Sequence, residues 1–408
     1  MYFYRNISED VVYVGASDRR TARFENMFEL PWGICYNSYL IIDGDKTCLM
    51  DGVDQSIAER YDRDVAQALD GRKLDYFVIQ HVEPDHCSTI NSIMRQHPET
   101  KMIITQPGLK LMKQFYNVDY TDRAIIAKDN LKIELNKHTL EFILAPNVHW
   151  PEVMMTYDHY DKALYTADAF GSFKAQDGHL FADQVNYERD WMDEARRYYI
   201  NIVGKQGPHV QRLFAKIEKN GFEIENIRPL HGLIFRTKET IDMIMEKYHL
   251  WSTYTPEEKG VTLVCGSMYN NTMETMEYLS NMLADKGVPN IRLYDISEID
   301  RSFAMADMFR YSHVVFGCPT YNTELFPQMD AFLRDAIALN FCNRKVAFIE
   351  NRSWGGKALK IAQEILGQAK DIEFIDKTFN MTSTIHSHQL DGLNELADAI
   401  VASLELEQ

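Results

Sequence analysis

Two histidines and two carboxylates lie within six residues of one another, as His81, Glu83, Asp85 and His86. They directly follow the apolar run 76–79, which predicts a short strand, so their side chains would leave a strand end together. Crowded carboxylates stay ionised only when nearby positive charge neutralises them. The segment therefore predicts a metal site.

Three further potential ligands stand in similar settings. His149 follows the apolar run 142–144, Asp168 follows the run 163–165, and His231 comes soon after an apolar residue. We expect all seven side chains to converge on one edge of a sheet sandwich. Four imidazoles and three carboxylates without a thiolate favour a non-haem iron pair, which carboxylates can bridge, over a zinc ion that activates one water.

A second group of residues has the pattern of an anion-binding loop. The apolar run 261–265 predicts a strand, the loop 266–272 is rich in hydroxyls and amides, and a helix is predicted from about Met273. Backbone N–H groups and the positive helix end would face a phosphate there, with Ser267 and Thr272 as hydroxyl donors. The loop contains neither a Gly-x-Gly-x-x-Gly dinucleotide fingerprint nor a P-loop.

Two later loops would lie beside it at the carboxyl edge of the same sheet, where doubly wound folds bind their ligands. They follow the predicted strands 313–316 and 345–350, and their aromatic residues Tyr321 and Trp354 offer faces for a flat ring. The candidate residues of this second site are Ser267, Met268, Tyr269, Asn270, Asn271, Thr272, Pro319, Thr320, Tyr321, Asn322, Ser353, Trp354, Gly355 and Gly356.

The length of 408 residues predicts two domains. A polar segment bounded by proline and glycine, 251–260, favours a boundary that gives domains 1–255 and 256–408. The first half contains short strands and a helical stretch over about 190–219. In the second half strands alternate with helices, which is typical of a doubly wound parallel sheet. The predicted strands there are 261–265, 290–294, 313–317 and 345–350, and the predicted helices are 273–286, 325–338 and 357–367.

Composition excludes several classes of function. Apolar residues make up 45% and charged residues 25%, as in globular proteins. The net charge of −17 argues against a nucleic-acid binder and against a polybasic membrane anchor. No apolar run is long enough to span a membrane, and the first ten residues lack a secretion signal. Six scattered cysteines without a Cys-x-x-Cys pair indicate a reducing, cytoplasmic location and no four-cysteine metal module.

The motif His-x-Glu-x-Asp-His at 81–86 resembles the metallo-β-lactamase signature, with Glu83 in place of its second histidine. Together with the segments 147–151, 167–171 and 229–232, it resembles the flavodiiron proteins (A-type flavoproteins). The chain from Gly260 onward resembles a flavodoxin domain that binds FMN. The resemblance implies an α/β protein with an N-terminal metallo-β-lactamase-like αββα sandwich and a C-terminal flavodoxin-like doubly wound parallel sheet.

The resemblance also implies roles for the metal ligands. His81, Glu83 and His149 would hold one iron, Asp85, His86 and His231 would hold the other, and Asp168 would bridge the two. The family varies at the position of His86, whose side chain in some members swings away from the metal, so the resemblance leaves this ligand open. By family position, Glu25 and Tyr198 would face the substrate pocket.

The implied activity is that of an oxidoreductase. It would take electrons through FMN from an external donor and reduce O2 to water, NO to N2O, or both, at the diiron site, scavenging these gases in an anaerobe. A rubredoxin is the expected donor because the chain lacks the Cys-x-x-Cys pairs of a built-in rubredoxin module. The family also implies a head-to-tail homodimer, or a homotetramer of two such dimers.

Three other interpretations stay open from the sequence. One is a zinc-dependent metallo-β-lactamase-type hydrolase with a flavodoxin-like regulatory domain, which Glu83 disfavours. Another is an oxidase that accepts electrons directly from the reduced deazaflavin F420. The third is a redox sensor whose metal site binds O2 or NO without turnover.

Overall fold

The computed structural model describes residues 4–406. Contacts divide the chain after Tyr248 into two compact units. The division falls within a helix, seven residues before the boundary expected from the polar segment, and the domain bounds 1–255 and 256–408 stay a prediction.

The first unit is built on two β-sheets. In chain order its strands are Arg5–Asn6 (β1), Val11–Tyr13 (β2), Ala16–Asp18 (β3), Arg23–Phe24 (β4), Phe28–Glu29 (β5), Ile34–Tyr36 (β6), Tyr39–Asp43 (β7), Lys46–Met50 (β8), Tyr76–Ile79 (β9), Lys101–Ile104 (β10), Ala124–Ile126 (β11), Lys132–Glu134 (β12), Thr139–Leu144 (β13), Met154–Asp158 (β14), Ala163–Tyr165 (β15) and Asn226–Arg228 (β16). Its α-helices are Ala58–Leu69 (α1), Pro84–Cys87 (α2), Ile90–Gln96 (α3), Gln106–Tyr116 (α4), Tyr187–Asp190 (α5), Met192–Tyr198 (α6), Gly207–Asn220 (α7) and Lys238–Ser252 (α8), in which the division falls.

The two sheets pack face to face. One has the strand order β1-β2-β7-β8-β9-β10-β11 and the other β12-β13-β14-β15-β16. Their shared core joins residues of the first sheet, such as Met50 and Val78, to residues of the second, such as Phe142 and Tyr165. The result is the expected metallo-β-lactamase-like sandwich. Alternate side chains of the central strands enter this core, which leaves the strand ends available to polar side chains.

The helical stretch predicted over about 190–219 is confirmed, but it is not one regular α-helix. Helix α6 ends at Tyr198, and a π-helical turn at Tyr199–Val203 and a 3-10 turn at Gly204–Gln206 precede α7. Pro208 lies in the first turn of α7. Proline has no N–H to donate to the preceding turn, so the chain restarts a helix there. Apolar spacing alone does not reveal this break.

The second unit contains one parallel sheet. Its strands are Glu258–Cys265 (β17), Ile291–Asp295 (β18), Tyr311–Tyr321 (β19), Glu324–Leu325 (β20), Arg344–Arg352 (β21) and Ile372–Thr382 (β22), and its helices are Asn271–Asp285 (α9), Arg301–Arg310 (α10), Pro327–Ala338 (α11), Ala358–Leu366 (α12) and Leu390–Leu404 (α13). The order β18-β17-β19-β21-β22 is parallel throughout, and β20 adds a short antiparallel pairing to β19. This is the flavodoxin order.

The predicted strands and helices of this unit are present with shifted bounds, but β20, β22, α10 and α13 were not predicted. Strand β22 is an edge strand whose polar and charged residues interrupt the apolar run that marks the other strands. Among residues 4–406, no helix is both long and apolar enough to cross a membrane.

A buried ion pair ties together two segments of the first unit. His138 is fully buried, and its Nδ1 lies 2.6 Å from Oδ2 of Asp158. Its Nε2 lies 3.5 Å from Oδ2 of Asp10. Burial alone would lower the pKa of His138, but the bond to Asp158 and the nearby carboxylates Asp161 and Asp43 raise it above its usual value.

We predict that His138→Asn lowers the free energy of unfolding by roughly 1–3 kcal/mol near pH 6, because it leaves Asp158 buried without its cationic partner. Since the folded-state pKa is raised, this contribution is complete below the unfolded pKa and is lost as pH rises through the folded value. Denaturant unfolding of both proteins at several pH values should therefore show a difference that shrinks at alkaline pH. A difference that grows with pH would contradict this account, and the exposed His179→Asn is the control.

Candidate functional site

The seven ligands expected from the sequence converge at one end of the sandwich. They form two groups, His81, Glu83, His149 and Asp168 in one and Asp85, His86 and His231 in the other. Within each group the ligand atoms all lie within 4.8 Å of one another. Glu83 precedes the single-turn helix α2, which starts with Pro84 and carries Asp85 and His86.

Asp168 lies between the two groups and presents one carboxylate oxygen to each. Its Oδ2 is 2.9 Å from Nε2 of His149 and 3.4 Å from Nε2 of His81. Its Oδ1 is 3.0 Å from Nε2 of His86 and 3.5 Å from Nε2 of His231. A carboxylate placed in this way could bridge two ions, one held by each group.

The remaining carboxylates complete the two groups. Oε2 of Glu83 is 3.2 Å from Nε2 of both His81 and His149. Oδ2 of Asp85 is 3.2 Å from Nε2 of His86 and 3.3 Å from Nε2 of His231. Each group is therefore a compact set of imidazole nitrogens and carboxylate oxygens that face the same point.

Burial and the neighbouring charges shift the pKa values of the side chains in this cluster, and for some side chains the two effects oppose each other. Burial raises the pKa of Asp85 to about 8. Burial acts in the same direction on Asp168, but the charges of His86 and His81 outweigh it and hold the pKa of Asp168 well below its usual range. Burial opposes the charged form of His149 too, yet its bonds to Asp168 and Glu83 raise its pKa to about 9.

This donor set fits metal ions. Both oxygens of Asp85 and Oδ1 of Asp168 are buried and receive no hydrogen bond of normal geometry from the described residues. The two imidazole Nε2 atoms of His86 and His231 are only 3.1 Å apart. A cation in each group would satisfy these atoms together, with the nitrogens as neutral ligands and the carboxylates ionised.

Acceptors behind two of the histidines orient their rings. Oε1 of Glu152 accepts hydrogen bonds from Nδ1 of His81, at 2.7 Å, and from the backbone N–H of Val82, at 3.0 Å. Nδ1 of His231 donates to the carbonyl of Cys35 at 2.8 Å. Because a carbonyl and an ionised carboxylate only accept, these bonds leave both Nε2 lone pairs free to bind metal.

Glu152 was not identified from the sequence. It lies three residues after His149 in the same loop, and that proximity to a ligand was the only available signal.

His86 differs from His81 and His231, since its Nδ1 is buried without a hydrogen-bond partner among the described residues.

A pocket of about 260 Å³ opens beside the metal cluster. Glu25, Tyr36, Glu83 and Asp85 are among its lining residues. Burial and the neighbouring carboxylate of Glu83 raise the pKa of Glu25 to about 8. The ring of Tyr198 lies 5.3 Å from that of His231, and its hydroxyl is buried without a hydrogen-bond partner among residues 4–406.

The second unit has its own cleft at the carboxyl edge of the sheet, of about 430 Å³, a volume typical of ligand sites. The sequence-predicted residues that line it are Ser267, Met268, Tyr269, Asn271, Thr272, Pro319, Thr320, Asn322, Ser353, Trp354 and Gly355. Three predicted residues do not line it, namely Asn270, Tyr321 and Gly356. Four lining residues were not predicted, namely Thr323, Asn351, Arg352 and Ser383.

The chemistry of the cleft fits a flavin phosphate. Oγ of Ser267 has no hydrogen-bond partner among the described residues, and helix α9 begins after Asn270 without a side-chain cap. Its first N–H groups are therefore available to an anion. Asn270 adopts a left-handed backbone with φ of 67°. Trp354 and Tyr269 are 88% and 86% exposed and offer free aromatic faces at the rim.

Fold and sites together define a protein that joins a metallo-β-lactamase-type metal site to a flavodoxin-type cleft. A family model described as ODP family beta lactamase matches residues 34–232. The nitric oxide reductase of Moorella thermoacetica is 32% identical over 371 residues, 90% of each chain. The anaerobic nitric oxide reductase flavorubredoxin of Aeromonas hydrophila is 28% identical over 89% of this chain and 73% of that protein.

A solved structure is similar to this chain over nearly its whole length. Rubredoxin oxygen:oxidoreductase from Desulfovibrio gigas matches with a TM-score of 0.90 and 25% identity, covering 99% of both chains. The chain belongs to the flavodiiron protein family.

We predict that Glu152→Ala lowers iron affinity by roughly 10–100-fold, because His81 loses the acceptor that fixes its tautomer and ring orientation. Glu152→Gln keeps an acceptor oxygen and should lose less. Competition with a coloured iron chelator measures both variants against the wild type. Unchanged affinity in Glu152→Ala would show that this carboxylate does not support the site.

Proposed function

We propose that the protein is an oxidoreductase that takes electrons through FMN from an external donor and reduces O2 to water, NO to N2O, or both, at a non-haem diiron site. The observation that carries the proposal is the geometry of Asp168, whose two oxygens each face one group of metal ligands. A flavin-sized cleft in the same chain supplies the second requirement.

The named activities of relatives support both substrates. One relative, from Moorella thermoacetica, is named a nitric oxide reductase, and the Desulfovibrio gigas structure is named a rubredoxin oxygen:oxidoreductase. Reduction of O2 to two waters consumes four electrons and four protons. Reduction of two NO to N2O and one water consumes two electrons and two protons. Both reactions need a site that accepts electrons in pairs, which two irons and a flavin provide when bound.

We assign the ligands as follows. His81, Glu83 and His149 hold one iron, Asp85, His86 and His231 hold the other, and Asp168 bridges them; this assignment is supported by the two ligand groups of the cluster. Ligation requires Asp85 ionised and His149 neutral. Their pKa values of about 8 and about 9 therefore mean that metal binding near neutral pH releases protons.

The pocket beside the cluster is suited to a small neutral gas. Its volume is about 260 Å³, and four carboxylates line it, those of Glu25, Asp54, Glu83 and Asp85. Among the described lining residues the one cation is Arg23, which is paired with Glu29 at 3.1 Å, so the wall does not favour an anionic substrate. The buried hydroxyl of Tyr198 is a hydrogen-bond donor close to His231.

The zinc hydrolase alternative is not favoured. The position of the second histidine in the metallo-β-lactamase motif carries Glu83, whose carboxylate contacts both histidines of its group. Two relatives are named nitric oxide reductases, and the Desulfovibrio gigas relative is named an oxidoreductase. A hydrolase would also have no use for a flavin cleft.

A rubredoxin is the electron donor we propose. The name of the Desulfovibrio gigas relative includes this donor. All six cysteines of this chain are free thiols, and none belongs to a Cys-x-x-Cys pair. These 408 residues therefore contain no four-cysteine rubredoxin site, and we propose a rubredoxin outside them as the donor, with F420 as the second candidate. We also propose a cytoplasmic location, which the free thiols support, and domains 1–255 for the irons and 256–408 for FMN.

Two variants separate the proposed sites. We predict that Asp168→Ala loses iron and the reduction of both gases while it retains FMN, because the shared ligand is gone. Thr272→Ala is the reciprocal control and should weaken FMN binding while iron content stays at two per chain. Iron and flavin analysis, with steady-state O2 and NO consumption using rubredoxin as donor, gives the readout. Full activity in Asp168→Ala would refute the ligand assignment.

We further propose a head-to-tail homodimer, or two such dimers in a tetramer, in which the FMN of one subunit serves the irons of the other. Exposed aromatic side chains at the rim of the flavin cleft, Trp354 and Tyr269, support a covered surface there.

Mixing inactive variants tests this arrangement. Asp168→Ala supplies FMN without irons, and a variant that has lost FMN supplies irons without flavin. We predict that heterodimers formed by denaturing and refolding the two together regain up to about half the activity per dimer, because one complete pair remains. Each variant refolded alone is the control. Electron transfer within a single chain would give no recovery.

A further inference from the structure

One buried side chain at the flavin cleft connects the ends of two strands to the start of a helix. Asn351 lies near the end of β21, and only 7% of it is exposed. Its Nδ2 lies 3.1 Å from Oγ1 of Thr272, the second residue of α9, and 3.1 Å from the carbonyl oxygen of Ser383, which directly follows β22. Asn351, Thr272 and Ser383 all line the cleft.

The two contacts determine which atom of the amide faces which partner. A backbone carbonyl only accepts hydrogen bonds, so the atom of Asn351 that faces Ser383 must be its NH2 group. The same NH2 group then donates its other proton to Oγ1 of Thr272. An amide nitrogen has no lone pair to accept from a hydroxyl, so Thr272 acts as the acceptor in this bond.

Because Oγ1 of Thr272 accepts from Asn351, the hydroxyl proton of Thr272 must find an acceptor elsewhere. The residue is 1% exposed, and its hydroxyl donates to no acceptor among the described residues. With the Asn351 side of the oxygen occupied, the proton is directed away from Asn351. Oγ of Ser267, which lines the same cleft, is buried and has no hydrogen-bond partner of any kind among residues 4–406.

We infer that Asn351 is a positioning residue that holds the Thr272 hydroxyl as a donor to the phosphate of the flavin, and so makes the cleft select FMN over riboflavin. The inference rests on the proposed function, because it requires that the cleft binds a flavin. A hydroxyl whose other face is already occupied donates to a phosphate oxygen without competition from a local acceptor. Hydrogen bonds to a charged group are also stronger than those between neutral groups.

The test compares two ligands that differ only in the phosphate. Flavin fluorescence quenching gives the affinity of the full-length apoprotein for FMN and for riboflavin. We expect Asn351→Leu, which keeps the shape of the side chain without its donor, to weaken FMN binding on the order of tenfold and riboflavin binding less than about twofold. Thr272→Val should do the same, and the double variant should be little worse than either, because both changes remove one shared interaction.

Two further variants keep the inference falsifiable. Thr275→Val is the matched control on the same helix, since the Thr275 hydroxyl donates to the carbonyl of Asn271 at 3.1 Å; it should bind both flavins as the wild type does. Should Asn351→Leu fail to fold, Asn351→Asp replaces the donor by an acceptor that captures the Thr272 proton. It should weaken FMN by more than about tenfold and riboflavin far less.

Three results would overturn the inference. One is an equal loss of FMN and riboflavin affinity in Asn351→Leu, which indicates a general structural role. Another is a double variant whose FMN loss is the product of the two single losses. The third is wild-type protein that binds riboflavin as tightly as FMN, which refutes the phosphate selection but leaves the proposed function intact. Wild-type protein that binds neither flavin would refute both.

Discussion

Several buried carboxylates lie together at one end of the sandwich, and their negative charge must be neutralised. The arrangement of the site in the first unit depends on this requirement. Glu83, Asp85 and Asp168 are each at least nine-tenths buried, and their oxygens converge within hydrogen-bond distance of four imidazoles. Protons alone do not resolve this cluster, since several of its oxygens remain without donors. Two divalent or trivalent cations would neutralise the carboxylates and use every imidazole lone pair that faces them.

Buried strands of the sandwich end at this site, and their ends place the imidazoles beside the carboxylates. Strand β9 leads to His81, and the carboxylate of Asp51, which directly follows β8, accepts the backbone N–H of Gln80 at 2.7 Å. That bond holds the two strand ends together. Glu152 and the Cys35 carbonyl then orient the rings of His81 and His231. Backbone and outer hydrogen bonds therefore fix the positions of these candidate ligands.

In the second unit, too, strand ends form the ligand site. Its parallel strands end at one edge, and loops after β17, β19 and β21 form the cleft. Parallel strands need helical crossovers, which leaves the carboxyl edge free of packing and available to a ligand. Asn351 and Ser383 add contacts between loops that are distant in sequence, as Glu152 and His81 do in the first unit.

The sequence was sufficient to predict the two-unit α/β architecture, because short apolar strands and alternating helices carry strong periodic signals. It was also sufficient to predict which seven side chains would converge, because each follows a strand. It did not reveal Glu152, Asn351 or Ser383, whose roles depend on contacts between loops that no local pattern encodes. Nor did it reveal the π-helical and 3-10 turns between α6 and α7, because apolar spacing does not distinguish one helix type from another.

Anomalous diffraction from crystals of the iron-loaded protein shows whether Asp168 bridges two irons. If it does, two peaks appear at the iron absorption edge, one beside His81 and His149 and the other beside His231, with one oxygen of Asp168 directed at each. A single peak, or two peaks that appear only at the zinc edge, would rule the bridge out.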